Sequence, residues 1–184
     1  GAVTLRFAPL DAAGLAAWPE PLRPHHVVLY GAGHVGRAIA RLLADLPFTV
    51  DWVDERDGEF DLMRWPDGHW PTHVRRIAVD TPEGEAQTAP PGALHLVLTH
   101  QHDLDLRICE TLLRRGDFAW LGLIGSATKK ARFLHRSEAR GLPPEHIARL
   151  TCPIGVPGIG GKQPEVIAVA VVAQLLQACE HARR

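Results

Sequence analysis

The sequence predicts an α/β fold: a doubly wound parallel sheet of about six strands with helices on both faces. Three observations predict it. Short apolar runs alternate with segments whose apolar residues recur at helical spacing, a pattern of parallel strands joined by right-handed crossovers. The run His26-Val-Val-Leu-Tyr30 meets the glycine turn Gly31-Ala-Gly33-His34-Val35-Gly36, which opens onto a helical pattern with Ile39, Leu42, Leu43 and Leu46. The next run, from Phe48 to Val53, closes on Asp54, roughly 20 residues after the turn, where a ribose-binding acid belongs in a Rossmann-like βαβ unit.

Each part of the turn has a physical reason. Gly31 permits the tight bend, Gly33 lets a ligand's phosphate approach the backbone, and Gly36 lets helix and strand pack closely. The anion then meets the free N–H groups of the first helical turn, around His34 and Val35, where the helix dipole places roughly half a positive charge. The same glycines could instead serve only a tight turn. The motif specifies a phosphate-bearing ligand and no particular reaction.

The remaining elements follow in order. Asp57 to Thr72, with Trp65, Trp70, Pro66 and Pro71, reads as a loop with one short helical turn, its tryptophans packed over an edge of the sheet. His73 to Val79 is a third strand ending at Asp80, and Thr81 to Gly92 a Pro/Gly-rich connection. Ala93 to Leu98 is a fourth, buried strand, followed by Thr99-His100-Gln101-His102-Asp103 and a helix carrying Leu106, Cys109, Leu112 and Leu113, for which Asp103 is the expected N-cap. Phe118 to Ile124 is a fifth strand, and Gly125-Ser126 turns it into a helix that carries Lys129, Lys130 and Arg132 in its first turns and ends at Gly141-Leu-Pro-Pro144. Glu145 to Arg149 suits one helical turn and Leu150 to Cys152 a short sixth strand. Pro153 to Gln163 is a glycine-rich loop with Lys162, and Pro164 opens a last helix whose stretch Val166 to Leu176 is apolar nearly all round and so expected to be buried.

Composition narrows the function classes. A chain of 184 residues can bury roughly 70% of its unfolded surface. Twenty Lys and Arg against 21 Asp and Glu argue against nonspecific nucleic-acid or anionic-membrane binding. The longest wholly apolar run, Val166 to Ala173, is too short to cross a bilayer, and no secretory signal pattern opens the sequence, so a cytoplasmic protein is the expectation. Cys109, Cys152 and Cys179 are odd in number and contain no C-x-x-C pair, which indicates neither a disulfide framework nor a zinc site.

In a doubly wound sheet, ligands bind beyond the carboxyl ends of the strands, where strand order reverses. Five distant pieces should meet there: Gly31 to Gly36, Asp54 to Arg56, Thr99 to Asp103, Gly125 to Lys129, and Cys152 to Lys162. Arg56 could pair a phosphate bidentately or reject one ligand in favour of another, or simply lie at the surface. His100 and His102 could face a ligand or solvent; their spacing to the acids departs from an H-x-H-x-D-H metal signature, and no metal site is expected. Cys152 could be a buried strand cysteine, or a thiol whose pKa is lowered by the adjoining glycine loop and lysine. Lys162 could meet a phosphate. Ser126 reads first as an N-cap. Cations near a helix N-terminus are unfavourable alone, and an anion beside Lys129 would relieve them.

Taken together, Leu29-Tyr-Gly-Ala-Gly-His-Val-Gly36, Trp52-Val-Asp-Glu-Arg56, Thr99-His-Gln-His102, Leu121-Gly-Leu-Ile-Gly-Ser126 with Lys129 and Arg132-Phe133, Cys152-Pro-Ile-Gly155 and Gly161-Lys162 closely resemble the C-terminal Rossmann domain of the XdhC/CoxI-type accessory proteins of xanthine dehydrogenase. The resemblance runs over about residues 22 to 178. It implies a chaperone rather than an enzyme: a protein that binds the molybdenum cofactor (molybdopterin), shelters it during maturation and hands it to xanthine dehydrogenase or a related molybdenum hydroxylase. A cysteine desulfurase and the molybdenum cofactor nucleotidyltransferase are the further partners it implies. The glycine turn would take the cofactor's phosphate, while Asp54, Arg56 or the His100 loop could hydrogen-bond the pterin. Members of the family begin with a smaller domain, and Ala2 to Phe7 looks like its closing strand. Residues 1–24 are thus expected to hold that remnant strand and a Pro-rich linker, and 25–184 the Rossmann-like domain. Apolar surface left by the lost packing could support a homodimer. The alternatives are an NAD(P)-dependent oxidoreductase and a nucleotide-binding module.

Overall fold

A computed structural model describes residues 2–4, 11, 25–65 and 69–182. The strands are β1 (His25–Tyr30), β2 (Phe48–Asp54), β3 (Val74–Ala78), β4 (Leu94–Val97), β5 (Trp120–Leu123) and β6 (Leu150–Thr151). The helices are α1 (His34–Ala44), α2 (Gly58–Asp61), α3 (Pro82–Thr88), α4 (His102–Arg115), α5 (Ala127–Ala139), α6 (Pro144–Ile147) and α7 (Pro164–Ala182). All strand pairs are parallel, in the order β3-β2-β1-β4-β5-β6. The order reverses between β1 and β4, as in a Rossmann-like sheet, and that is the place for a ligand.

Alternation along the strands sorts the core into two layers. Val27 and Leu29 of β1 face the side covered by α1 and α7, with Trp52, Leu96, Ile39, Leu43, Ala168 and Leu175. Val28 and Tyr30 face the other side, with Val97, Leu121, Leu104, Ile108 and Phe133 from the α4 and α5 layer. Burial on both faces is why these strands read as continuous apolar runs. Trp70 stacks on Trp52 at 6.1 Å and meets Trp65 edge-on at 5.4 Å, closing the core beneath the β2–β3 edge as the tryptophan spacing suggested.

Several expectations are corrected. Thr81 to Gly92 is more than a connection, because α3 forms within it: Pro82 sits in its first turn, Glu83 and Glu85 favour the positive end of the dipole, and Pro82 and Ala86 are buried. Asp103 is not the cap of α4. Gln101 occupies that position without a side-chain bond to the helix N–H groups, while Asp103 points outward with its side chain 81% exposed. The stretch Val166 to Leu176 is not buried all round: Val169 is 50% and Leu176 38% exposed, because α7 meets the sheet and α1 on one side only. Of the expected first strand, Ala2 to Thr4 carry no regular structure, and 5–7 lie outside the described residues, as does most of the Pro-rich linker. Among the described residues, no helix is long and apolar enough to cross a membrane.

Candidate functional site

The site is built on the bend between β1 and α1. Gly31 has φ +118°, a left-handed conformation, and a Cβ there would lie 2.3 Å from the Leu98 carbonyl oxygen at the end of β4. A Cβ on Gly36 would lie 2.0 Å from the Gly31 carbonyl oxygen, so both glycines are demanded by main-chain packing. Gly33 is different. It has an ordinary φ of −67°, and a Cβ there would meet nothing within 4 Å. Nothing in the fold itself requires a glycine at 33; the space it leaves lies in front of the α1 N-terminus, which has no side-chain cap and no acid in its first turn.

Two side chains from β2 hold the bend. The Trp52 indole N–H donates to the Gly31 carbonyl at 3.0 Å, and the Asp54 carboxylate accepts the Ala32 N–H at 2.6 Å. Asp54 also accepts the Arg56 main-chain N–H at 2.9 Å and both arms of the Arg56 guanidinium, at 2.9 and 3.0 Å. A carboxylate offers about four acceptor directions, and these donors fill them. Burial works against its charge, but the Arg56 and main-chain donors outweigh burial and hold its pKa below the usual carboxylate range. Glu59 extends the network, pairing with Arg37 at 2.7 Å and Arg56 at 3.4 Å.

Across the crevice, the segment after β4 carries the Thr99 to His102 group. The Glu55 carboxylate accepts from Gln101 Nε2 at 3.0 Å and lies 3.2 Å from His100 Nε2, tying the end of β2 to the end of β4. His102, the first residue of α4, has its side chain 87% exposed. Thr99 instead turns down: its N–H and hydroxyl both donate to Asp105 Oδ1, at 2.9 and 2.8 Å.

Asp105 joins this segment to the second bend, between β5 and α5. It is fully buried, and its Oδ2 accepts from Lys129 Nζ at 2.7 Å, an ammonium that also donates to the Ile124 carbonyl at 3.0 Å. Ser126 caps α5 as expected, accepting the Lys129 N–H at 3.2 Å. A Cβ on Gly125 would crowd Lys129 Cδ at 2.8 Å and Cys152 Sγ at 3.3 Å, which puts Cys152 beneath this bend. The lowered thiol pKa considered for Cys152 is corrected: it is 5% exposed, and burial raises its pKa against the opposing pull of Lys129 and Lys130. From Ile154 the loop turns to the other layer, pinned to α7 by the Gly155 N–H on Gln174 Oε1 at 2.8 Å and the Val156 N–H on the Ala170 carbonyl at 3.1 Å. Lys162 is exposed, and its N–H bonds the neighbouring Gln163 side chain, with no described contact to the crevice.

Contacts therefore link Gly31 to Gly36, Asp54 to Arg56, Thr99 to His102 and Gly125 to Lys129 with Cys152; Lys162 stands apart. Sequence reasoning gave no role of their own to Asp105, Trp52 and Glu55, although Glu55 falls in the Asp54 to Arg56 piece and Trp52 in a family motif. For Asp105 a signal existed: it falls on the buried stripe of α4, with Leu104, Ile108, Cys109 and Leu112, and an acid on such a stripe needs a partner.

Known proteins share much of this chain. It is 34% identical over 156 residues to an uncharacterized Escherichia coli K12 protein, YqeB, covering 85% of this chain and 27% of that protein. It is 31% identical over 162 residues to a probable xanthine dehydrogenase subunit of Bacillus subtilis, covering 86% of this chain and 43% of that one. The chain thus spans less than half the length of these relatives. A crystal structure described as a xanthine dehydrogenase from Bacillus halodurans superposes with a TM-score of 0.67 at 23% identity, over 85% of this chain and 43% of the other, which shows a shared fold. Residues 27–175 match the XdhC Rossmann domain, and the chain belongs to that family.

Proposed function

We propose that this domain binds the molybdenum cofactor and serves as an accessory chaperone for the maturation of a xanthine dehydrogenase or related molybdenum hydroxylase. The reading is carried by Gly33, whose missing side chain leaves open space before uncapped helical N–H groups. That space suits the phosphate end of the cofactor, held by the N–H groups of Gly33, His34, Val35 and Gly36. Glu55, His100 and Gln101 line the neighbouring edge with donors and acceptors for a pterin. When bound, the cofactor supplies the dithiolene-held molybdenum that the target enzyme uses; this chain's residues bind, orient and release it. Cys152 is buried, and burial raises its thiol pKa, which disfavours a thiolate at the metal end. The partners we propose are the recipient hydroxylase, a cysteine desulfurase that acts on the bound cofactor and the cofactor nucleotidyltransferase that competes for it, all in the cytoplasm.

A dinucleotide is the second reading, since Asp54 closes β2 where a ribose acid stands. Its four acceptor directions are already filled by Ala32 and Arg56, so ribose hydroxyls would have to displace the guanidinium. Incubating the full-length protein with isolated molybdenum cofactor should give a complex that survives gel filtration and is lost in Gly33→Asp. Failure of the cofactor to co-elute, together with saturable NADH fluorescence enhancement abolished by Asp54→Ala, would replace the proposal with the dinucleotide reading.

A further inference from the structure

A cleft of about 500 Å³ opens between α4 and α5, on the layer of the sheet opposite α1, and no residue of the Gly31–Gly36 bend lines it. Its volume falls in the range of small-molecule sites. Its apolar lining is Leu106, with the almost wholly buried Phe133 behind, and its rim carries His102, Ser126, Arg132 and Arg136.

The charges around this cleft do not balance locally. Asp105 is matched by Lys129 at 2.7 Å, and Glu110 by the Arg140 guanidinium. Arg136 reaches Asp103 and the other oxygen of Glu110 only at 3.8 Å each, and Asp103 is itself largely exposed. Among the described residues, Arg132 has no carboxylate within ion-pair distance and opens onto the cleft. One arginine is thus unmatched and a second loosely held. The Ser126 oxygen accepts the Lys129 N–H, which leaves its own O–H free to donate into the same space. The α5 first turn carries no acid to oppose an incoming anion. Two guanidiniums, a hydroxyl and an apolar lining form a recognition set for a phosphate monoester with a flat or apolar body.

We propose that this cleft is a second anion site, taking a phosphate monoester on Arg132 and Arg136 with its organic part against Leu106. It goes beyond the function proposed for the Gly33 bend and stands or falls separately from it. The test is a titration of the isotopically labelled full chain, followed by main-chain amide NMR shifts, with inorganic phosphate, guanosine 5′-monophosphate and guanosine. The monophosphate is expected to shift the amides of Ser126, Thr128 and Arg132 saturably, inorganic phosphate to shift them more weakly, and guanosine to leave them in place. Arg132→Gln, at an exposed and unpaired position, should weaken monophosphate binding at least tenfold with the unliganded spectrum unchanged, and adding Arg136→Gln should remove it. The proposal is overturned if the shifts are confined to Gly33 through Gly36, if guanosine shifts the cleft amides as strongly as its monophosphate, or if Arg132→Gln leaves the affinity intact.

Discussion

The chain turns from a strand through glycine into a helix twice, at Gly31–Gly36 and at Gly125–Lys129, and the two bends are held by different means. At the first, glycines pack main chain on main chain, with Trp52 and Asp54 bonding the bend from β2: Gly31 and Gly36 leave no room for a Cβ against carbonyl oxygens 2.3 and 2.0 Å away. Its helix end is uncapped. The second is fixed by side chains, with Ser126 capping the helix and Lys129 folded onto buried Asp105. The first bend leaves its helix end uncapped, whereas at the second Ser126 takes the Lys129 N–H and arginines stand beside the helix start. On the two proposals made above, an anion would meet amides at the first bend and arginines at the second.

The sharpest break comes from filling the first bend. Gly36→Ala sets a Cβ against backbone that no rotamer change can move, so a loss of about 3 kcal/mol or more is expected, with the soluble yield falling steeply. Gly125→Ala is the matched change at the second bend. It meets the flexible Lys129 stem and the Cys152 thiol, and about 1 kcal/mol is expected. Chemical denaturation of the two variants checks the ranking; equal losses would remove the distinction between a backbone bend and a side-chain bend.

Next in size is the ion pair beneath the second bend. Lys129→Met leaves the fully buried Asp105 with only the Thr99 donors, and about 3 kcal/mol of destabilisation is expected, because an uncompensated buried charge costs more than the pair contributes. Adding Asp105→Asn should restore part of it, a coupling read from the double-mutant cycle in urea. At the first bend, Arg56→Met should cost less, about 1 kcal/mol, since Asp54 keeps two main-chain donors and the Arg56 side chain is 35% exposed.

This asymmetry also explains what the sequence could reveal. The central strands β1, β4 and β5 were legible because burial on both faces writes them as largely apolar runs, and the first bend was legible because main-chain packing admits only glycine at 31 and 36. The second bend depends on Lys129 reaching Asp105, 24 positions away, and single-chain periodicity does not encode which buried acid a lysine will find. Helix α3 was hidden for another reason. The prolines and glycines from Thr81 to Gly92 read as a loop, whereas Pro82 begins a helix, and Gly84 lies inside it without breaking it. Asp54 was placed correctly at the end of β2, but its pairing was not legible, because the sequence does not say that Arg56, two residues on, turns back onto its lone pairs.

Mild acid should act between the bends. His95 on β4 is 2% exposed and lies 3.4 Å from the Tyr30 hydroxyl on β1. Burial, with Arg115 adding to it, pushes its pKa down to about 3. The unfolded chain binds this proton near pH 6.5 and the folded chain does not, so the stability is fully present above pH 6.5 and is lost as pH falls toward 3. Between pH 6.5 and pH 5 the loss should be on the order of 2 kcal/mol. His95→Gln should flatten the slope of unfolding free energy in that window. Asp54, whose folded pKa lies below its ordinary value, loses its contribution only as pH falls below about 4. A slope that survives His95→Gln would move the acid-sensitive group elsewhere.

The smallest effect separates the two helix ends most directly. Ser126→Ala removes the hydroxyl that accepts the Lys129 N–H and should cost about 1 kcal/mol by denaturation. Gly33→Ala adds a methyl to open space at an ordinary φ, with no cap to lose, and should change stability by only about 0.5 kcal/mol. Ligand binding should reverse that order. The methyl at 33 occupies the place where a phosphate would approach the α1 amides, so cofactor retention on gel filtration should drop in Gly33→Ala. Ser126→Ala removes one donor among several at the other bend and should leave that retention unchanged. If both substitutions altered stability and retention in parallel, the open space at Gly33 would be a consequence of turn geometry alone.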